Sequence, residues 1–167
     1  TNRIAAAAGV SIGSLYHYYN NKDEILLALL DQHTGLTRAA LRRALENHAA
    51  AAIPVMLREV TLAVLRTEQD RPICAILRDQ IPRVGGFARI LEVHTDIIDV
   101  ITFYLSARKH ELRVSDVKMA AFIVVKTIDA LINAFRVERA GMDPRAMEEM
   151  VDLVLLYLTG KSTHTPT

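Results

Sequence analysis

The sequence predicts an all-α protein in which a short helical corner is joined by one long helix to a larger helical body. Three observations lead there. Apolar residues recur at spacings of three and four from end to end, the periodicity of a helix face. No run alternates polar and apolar residues as a half-buried strand would. Start and stop signals at Gly9, Asn20-Asn21, Pro54, Gly85-Gly86, Asp143-Pro144 and Gly160 divide the chain into helix-sized segments.

The elements follow in order. A first helix over 1–8 ends at Gly9, a residue suited to the left-handed conformation after a helix. Ser11 is placed to cap a second helix through Tyr18. Asn21 with Glu24 three residues on has the form of a capping box for a long helix to about Glu46. That helix carries the stripe Leu26, Leu29, Leu30, His33, Thr37, Ala40, Leu41 and Ala44, and at ~1.5 Å per residue spans roughly 35 to 40 Å. Pro54 opens the next helix, with Leu57, Val60, Thr61 and Val64 facing inward, and Pro72 a short one, followed by a loop at Ile81-Pro82 and Gly85-Gly86. From Phe87 the stripe Ile90, Leu91, His94, Ile97, Ile98, Ile101, Tyr104 and Leu105 marks another helix. The last two helices, 115–139 and from Asp143-Pro144 to Gly160, are apolar on more than one side and so need cover on more than one side. A second copy of the chain is the economical cover. Residues 161–167 read as a polar tail.

Composition bounds the function. A chain of 167 residues that is 51% hydrophobic can bury a substantial core. A net charge of +1 excludes a uniformly basic protein, so any nucleic-acid contact must be local. The single cysteine, Cys74, rules out an internal disulfide and fits a reducing cytoplasm. No apolar run approaches the ~18 residues of a membrane span. The start at Thr1 without methionine suggests that upstream residues are missing. No His-x-x-x-His pair, Glu-x-x-His spacing, phosphate-cradling glycine loop or nucleophile elbow occurs, so no metal, no cofactor and no enzyme activity is expected.

The first 22 residues carry the most specific chemistry. The Gly9-Val10-Ser11 link makes a tight corner that Ile4, Ala5, Ala8, Val10 and Leu15 are expected to hold closed. The second helix then exposes Ile12, Gly13, Ser14, Tyr16, His17 and Tyr18, which offer hydrogen-bonding groups to phosphates or base edges and, at Gly13, a close backbone approach. No acidic residue occurs from Thr1 through Lys22. Lys22 opposes the dipole of the helix it begins, which makes sense if an anion docks among the free N–H groups there.

The run IAAAAGVSIGSLYHYYNNKDEI closely resembles the DNA-binding head of the TetR family of bacterial regulators, IAxxAGVSxGxxYxYFxxKxxL. Tyr19 stands for the usual phenylalanine, and Ile25 for the closing leucine, one residue before Leu26. The resemblance covers about 25 residues; beyond Asp31 only helix number, length and order agree. It implies a helix-turn-helix head over 1–46, lacking the family's first helix, and a ligand-binding and dimerisation body over 47–160. It places Ile12, Gly13, Ser14 and His17 on base edges and Ser11, Tyr16, Tyr18 and Lys22 on phosphates. Thr1 and Asn2 open the first helix, where the family contacts phosphate. The implied partners are double-stranded operator DNA, a second copy of the chain and a small apolar effector that releases a repressor.

Within the body, the expected pocket walls are His33, Met56, Leu57, Cys74, Leu77, His94, Ile98 and Phe122, a few polar groups among apolar ones. The expected dimer seam is Val124, Ile128, Leu131, Phe135, Met147, Val151, Val154 and Leu158. Lys126, Asp129 and Asn133 interrupt the apolar helix as polar groups at that seam. Two plainer readings stand beside these. The head could be a corner that merely packs, and the body a helical dimeric interaction module or a regulator that senses no small molecule.

Overall fold

The computed structural model describes residues 1–69, 80, 82–139 and 142–160, and all regular structure among them is helical. The helices are α1 (Asn2–Ala8), α2 (Ile12–Tyr18), α3 (Lys22–His48), α4 (Ile53–Gln69), α5 (Phe87–Ser106), α6 (Val117–Arg139) and α7 (Pro144–Thr159), with one 3-10 turn at Lys109–Glu111. The short helix expected from Pro72 and the tail lie outside the described residues.

Local chemistry sets most of the boundaries. Gly9 takes φ 66°. The N–H groups of Gly9 and Val10 then donate to the carbonyls of Ala6 and Ala5, which closes α1 with a Schellman turn. Ser11 Oγ accepts the Ser14 N–H at 3.0 Å and starts α2. α6 begins two residues later than its sequence suggests, because the Asp116 carboxylate, not Ser115, captures the Met119 N–H at 2.9 Å. Asp143 caps α7 through the Ala146 N–H at 2.7 Å, with Pro144 in the first turn. The far end of α7 is closed by Gly160 at φ 73° and by the Arg113 N–H, which donates to the Leu158 carbonyl at 2.9 Å.

The body is a bundle whose directions are fixed by polar staples. A short link folds α4 back antiparallel to α3. α5 runs parallel to α3, since Asp31 pairs with Arg89 and Arg38 with Asp96 (2.8 Å), both at a separation of 58 residues. α6 returns antiparallel to α5, with Lys118 on Asp99 at 3.5 Å and Lys126 on His94 at 2.8 Å. α7 is held against α4 by a two-pronged Arg58–Glu148 pair at 2.5 and 2.7 Å, which raises the Arg58 pKa above its ordinary value. Half-exposed pairs of this kind contribute little stability but define which faces meet. Burial supplies the stability: Leu65 on α4, Leu105 on α5 and Val151, Leu155 and Leu158 on α7 are almost fully enclosed. A smaller cluster of Leu26 and Leu30 with Leu29, Val84 and Ile90 joins the head end of α3 to the start of α5.

Leu65→Ala should therefore destabilise the protein by about 2–5 kcal/mol in urea denaturation. Val55→Ala, on the solvent side of the same helix, should stay within about 0.5 kcal/mol of wild type.

Candidate DNA-binding face and ligand cavity

The head presents α2 outward. None of its seven residues is buried. Ser11, Ile12, Gly13, Ser14, Tyr16, His17 and Tyr18 are all exposed, and Tyr18 is 77% exposed. Thr1 Oγ1 and Tyr16 Oη share a hydrogen bond at 3.0 Å, which ties the start of α1 to α2, and Asn2 lies exposed beside them. His17 meets Tyr18 edge to face with ring centroids 5.3 Å apart.

Gly13 is informative because the fold does not need it. A Cβ built there would meet only Ser11 Oγ, at an ordinary 3.7 Å. Glycine costs roughly 1 kcal/mol relative to alanine in a helix, so its presence on an exposed face fits a close approach from outside.

The start of α3 is exposed as well. Asn21 Oδ1 accepts the Glu24 N–H at 2.9 Å. The Glu24 carboxylate does not return to Asn21, as a standard capping box would have it, but reaches Asn20, taking its side-chain amide and its backbone N–H at 2.8 Å each. Those two bonds hold the Glu24 carboxyl below its ordinary pKa of 4.5. Its negative charge is thereby turned toward Asn20, while Lys22 remains exposed. Of the five residues expected to close the corner, only Ala5 is buried; Ile4 and Leu15 are half-buried, and Ala8 and Val10 face outward.

In the body, residues of α3, α4, α5, α6 and α7 line a cavity of about 120 Å³. Its walls are aliphatic, with Leu41, Leu45, Met56, Leu57, Ile97, Ile101, Val125 and Ile128 prominent, and four polar residues interrupt them: Thr37, Thr61, His94 and Asp129. Thr37 Oγ1 donates to the His33 carbonyl at 3.3 Å and also meets Thr67 Oγ1 at 3.3 Å. Lys126 Nζ bonds His94 Nδ1 at 2.8 Å, and His94 Nε2 lies 3.9 Å from Asp129 Oδ1. An ammonium has only donors, so Nδ1 accepts and the neutral imidazole carries its proton on Nε2, facing Asp129. The Arg38–Asp96 and Thr37–Thr67 contacts put Thr37 and His94 at the end of the cavity nearer the head.

The pocket expected from sequence needs correction. Met56, Leu57 and His94 line the cavity. Ile98 is buried off the stripe His94–Ile97–Ile101–Leu105, and His33 sits one turn before Thr37 without reaching it. Phe122 lies on the outer surface, 45% exposed, under Lys126 Nζ at 5.9 Å. Cys74 and Leu77 lie outside the described residues. Thr37, Leu41, Val60 and Thr61 lie on the inward stripes the sequence predicts for α3 and α4 without being assigned to the pocket, and Asp129, expected at the seam, also lines the cavity.

The expected seam is corrected more sharply. Met147, Val151, Val154 and Leu158 are buried in the protomer's own core, so they are not available to a second chain. Val124 and Ile128 line the cavity, while Leu131 and Phe135 pack half-buried against the core. In α7 the stripe 147, 150, 151, 154, 155 and 158 turns inward. What remains outside is Leu153 and Leu156, which share a groove with Ile123, Thr127 and Tyr157, and on α6 Met119 and Phe122 are also exposed.

Comparison with known families resolves the class. Residues 1–29 match the DNA-binding family described as bacterial regulatory proteins, tetR family. Residues 52–158, well over half the chain, match the tetracyclin repressor-like C-terminal domain. Neither a comparison with curated proteins nor one with solved structures found a match. Among the described residues, no helix is long and apolar enough to cross a membrane. With a tetR-type head on an exposed α2 and a repressor-like body behind it, the chain belongs to the TetR family of DNA-binding transcriptional regulators.

Proposed function

We propose that this regulator is a homodimeric repressor released from its operator by a small, largely apolar molecule bound in the body. One observation carries the reading. α3 is a single 27-residue helix whose first residue, the exposed Lys22, directly follows the head and whose Thr37, Leu41 and Leu45 form a wall of the cavity. From Lys22 to Thr37 is about 22 Å along a stiff rod at ~1.5 Å per residue, so whatever displaces the wall displaces the head.

In the bound state two α2 helices enter successive major grooves, one turn or about 34–36 Å apart. Ile12, Gly13, Ser14 and His17 face base edges, and Thr1, Asn2, Ser11, Tyr16, Tyr18 and Lys22 hold phosphates. An effector that prefers the dimer with mismatched heads shifts the population away from DNA, in proportion to its differential affinity for the two states. The dimer forms through the outward groove of Ile123, Leu153, Leu156 and Tyr157, extended by Met119 and Phe122. A contiguous apolar surface between two helices is the kind that a second copy covers.

Fluorescence anisotropy on DNA from upstream of its own gene tests the reading, with the protein as its gene encodes it. Binding should weaken steeply as salt rises. Lys22→Ala should weaken all sequences alike by about three- to tenfold, whereas His17→Ala should change the sequence preference. Gly13→Ala should leave the melting temperature equal or higher yet weaken operator binding. Binding indifferent to salt and to all three changes would rule the DNA face out. For the dimer, Leu156→Asp should give a folded monomer in sedimentation, while Val151→Asp should unfold the chain. A dimer that survives Leu156→Asp places the seam elsewhere.

A further inference from the structure

Four polar residues line the cavity, and one of them is left over. Thr61 is 8% exposed, and its hydroxyl has no hydrogen-bond partner among the described residues. A threonine inside a helix ordinarily turns its hydroxyl onto the carbonyl four residues back. Thr37, Thr95, Thr102 and Thr159 all do so in this protein, on His33, Leu91, Ile98 and Leu155. Thr61 does not, although it lies on an unbroken stretch of α4. Buried hydroxyls are nearly always paired, so an unpaired one on a cavity wall points to a partner that enters the cavity.

The other three polar groups narrow what that partner is. Thr37 is already engaged by His33 and Thr67. Asp129 puts a carboxylate into a wall that is otherwise largely aliphatic. An anionic ligand would lose its hydration and meet a like charge there, so carboxylates are disfavoured. A cationic ligand would share this end of the cavity with Lys126, which is held on His94. A neutral molecule avoids both costs. The volume, about 120 Å³, is of the order of the ~150 Å³ apolar cavity that holds benzene, which favours a single small ring.

We propose that the cavity takes a neutral molecule of the phenol class, one small apolar ring carrying one hydroxyl, which exchanges a hydrogen bond with Thr61 Oγ1. The proposal rests on the ligand-sensing reading above and adds its chemistry. The ring lies among the aliphatic side chains of α4, α5 and α6, and Asp129 at the head-proximal end selects against acids of the same shape.

Isothermal titration calorimetry on the full chain tests this with phenol, toluene and benzoate against wild type and Thr61→Val. Valine keeps the shape of threonine and removes only the hydroxyl. Phenol affinity should fall about three- to tenfold in T61V, the weight of one hydrogen bond, while toluene affinity stays level or rises. Benzoate should bind neither protein. The melting temperature of unliganded T61V should equal or exceed that of wild type, because no bond is lost. A drop of several degrees would mean that the hydroxyl is already satisfied, and would overturn the proposal. So would equal effects of T61V on phenol and toluene, or tight binding of benzoate. Toluene binding without any dependence on Thr61 would sink the phenol class but leave the sensing cavity standing. Failure of both neutral rings to bind would take the cavity reading down with it.

Discussion

The continuity of α3 is the constraint on which the rest depends. Its first turn is fixed by Asn21 and by the Glu24–Asn20 bonds, and its later turns are buried in the body at Leu41, Ala44 and Leu45. One rod therefore belongs to both the head and the body. It is also not uniformly stiff by composition. Gly35 sits mid-helix with open space where a Cβ would go, and glycine there costs roughly 1 kcal/mol relative to alanine. The two ion pairs to α5, from Asp31 and Arg38, bracket that glycine and splint the rod on either side. α3 and the first half of α5 thus act as a pair, and the cavity opens beneath them.

Polarity is distributed with the same logic. The outer faces of the bundle carry the charged staples, where solvent keeps their energetic weight small and their value is in choosing which helices meet. The cavity keeps only a few polar groups, Thr37 on α3, Thr61 on α4, His94 on α5 and Asp129 on α6. Lys126, His94 and Asp129 link α5 to α6 across its head-proximal end.

Much of this was legible in the sequence, and the limits were physical. Helix ends were readable because caps are local chemistry: Gly9, Ser11, Asn21, Asp143 and Gly160 each act within a few residues. The start of α6 was placed at 115 rather than 117, since Ser115 and Asp116 can both cap and only geometry shows that Asp116 does. The head was readable because its residues are exposed and answer to an outside partner, so their identities carry chemical meaning. The body was not. α6 and α7 each carry two apolar stripes, and periodicity reports both without saying which one turns inward. The inward stripe of α7 was therefore assigned to the seam, and Phe122 to the pocket, whereas packing buries that stripe in the protomer's core and leaves Phe122 on the surface. Thr61 was read from the sequence only as one member of the inward stripe of α4. Its significance lies in a bond it fails to make.

The central claim, that the contents of the cavity set the position of the head through α3, is tested most directly by a distance between the two heads. Spin labels at Ala7→Cys, an exposed position on α1, in a Cys74→Ser background report that distance by pulsed electron resonance. Val60→Phe puts a ring into the cavity from α4 and stands in for a ligand of any chemistry. The account predicts that this substitution shifts the head-to-head distance by more than about 2 Å and lowers operator affinity, with the dimer intact. A folded, dimeric Val60→Phe protein with an unchanged distance and unchanged affinity would contradict it.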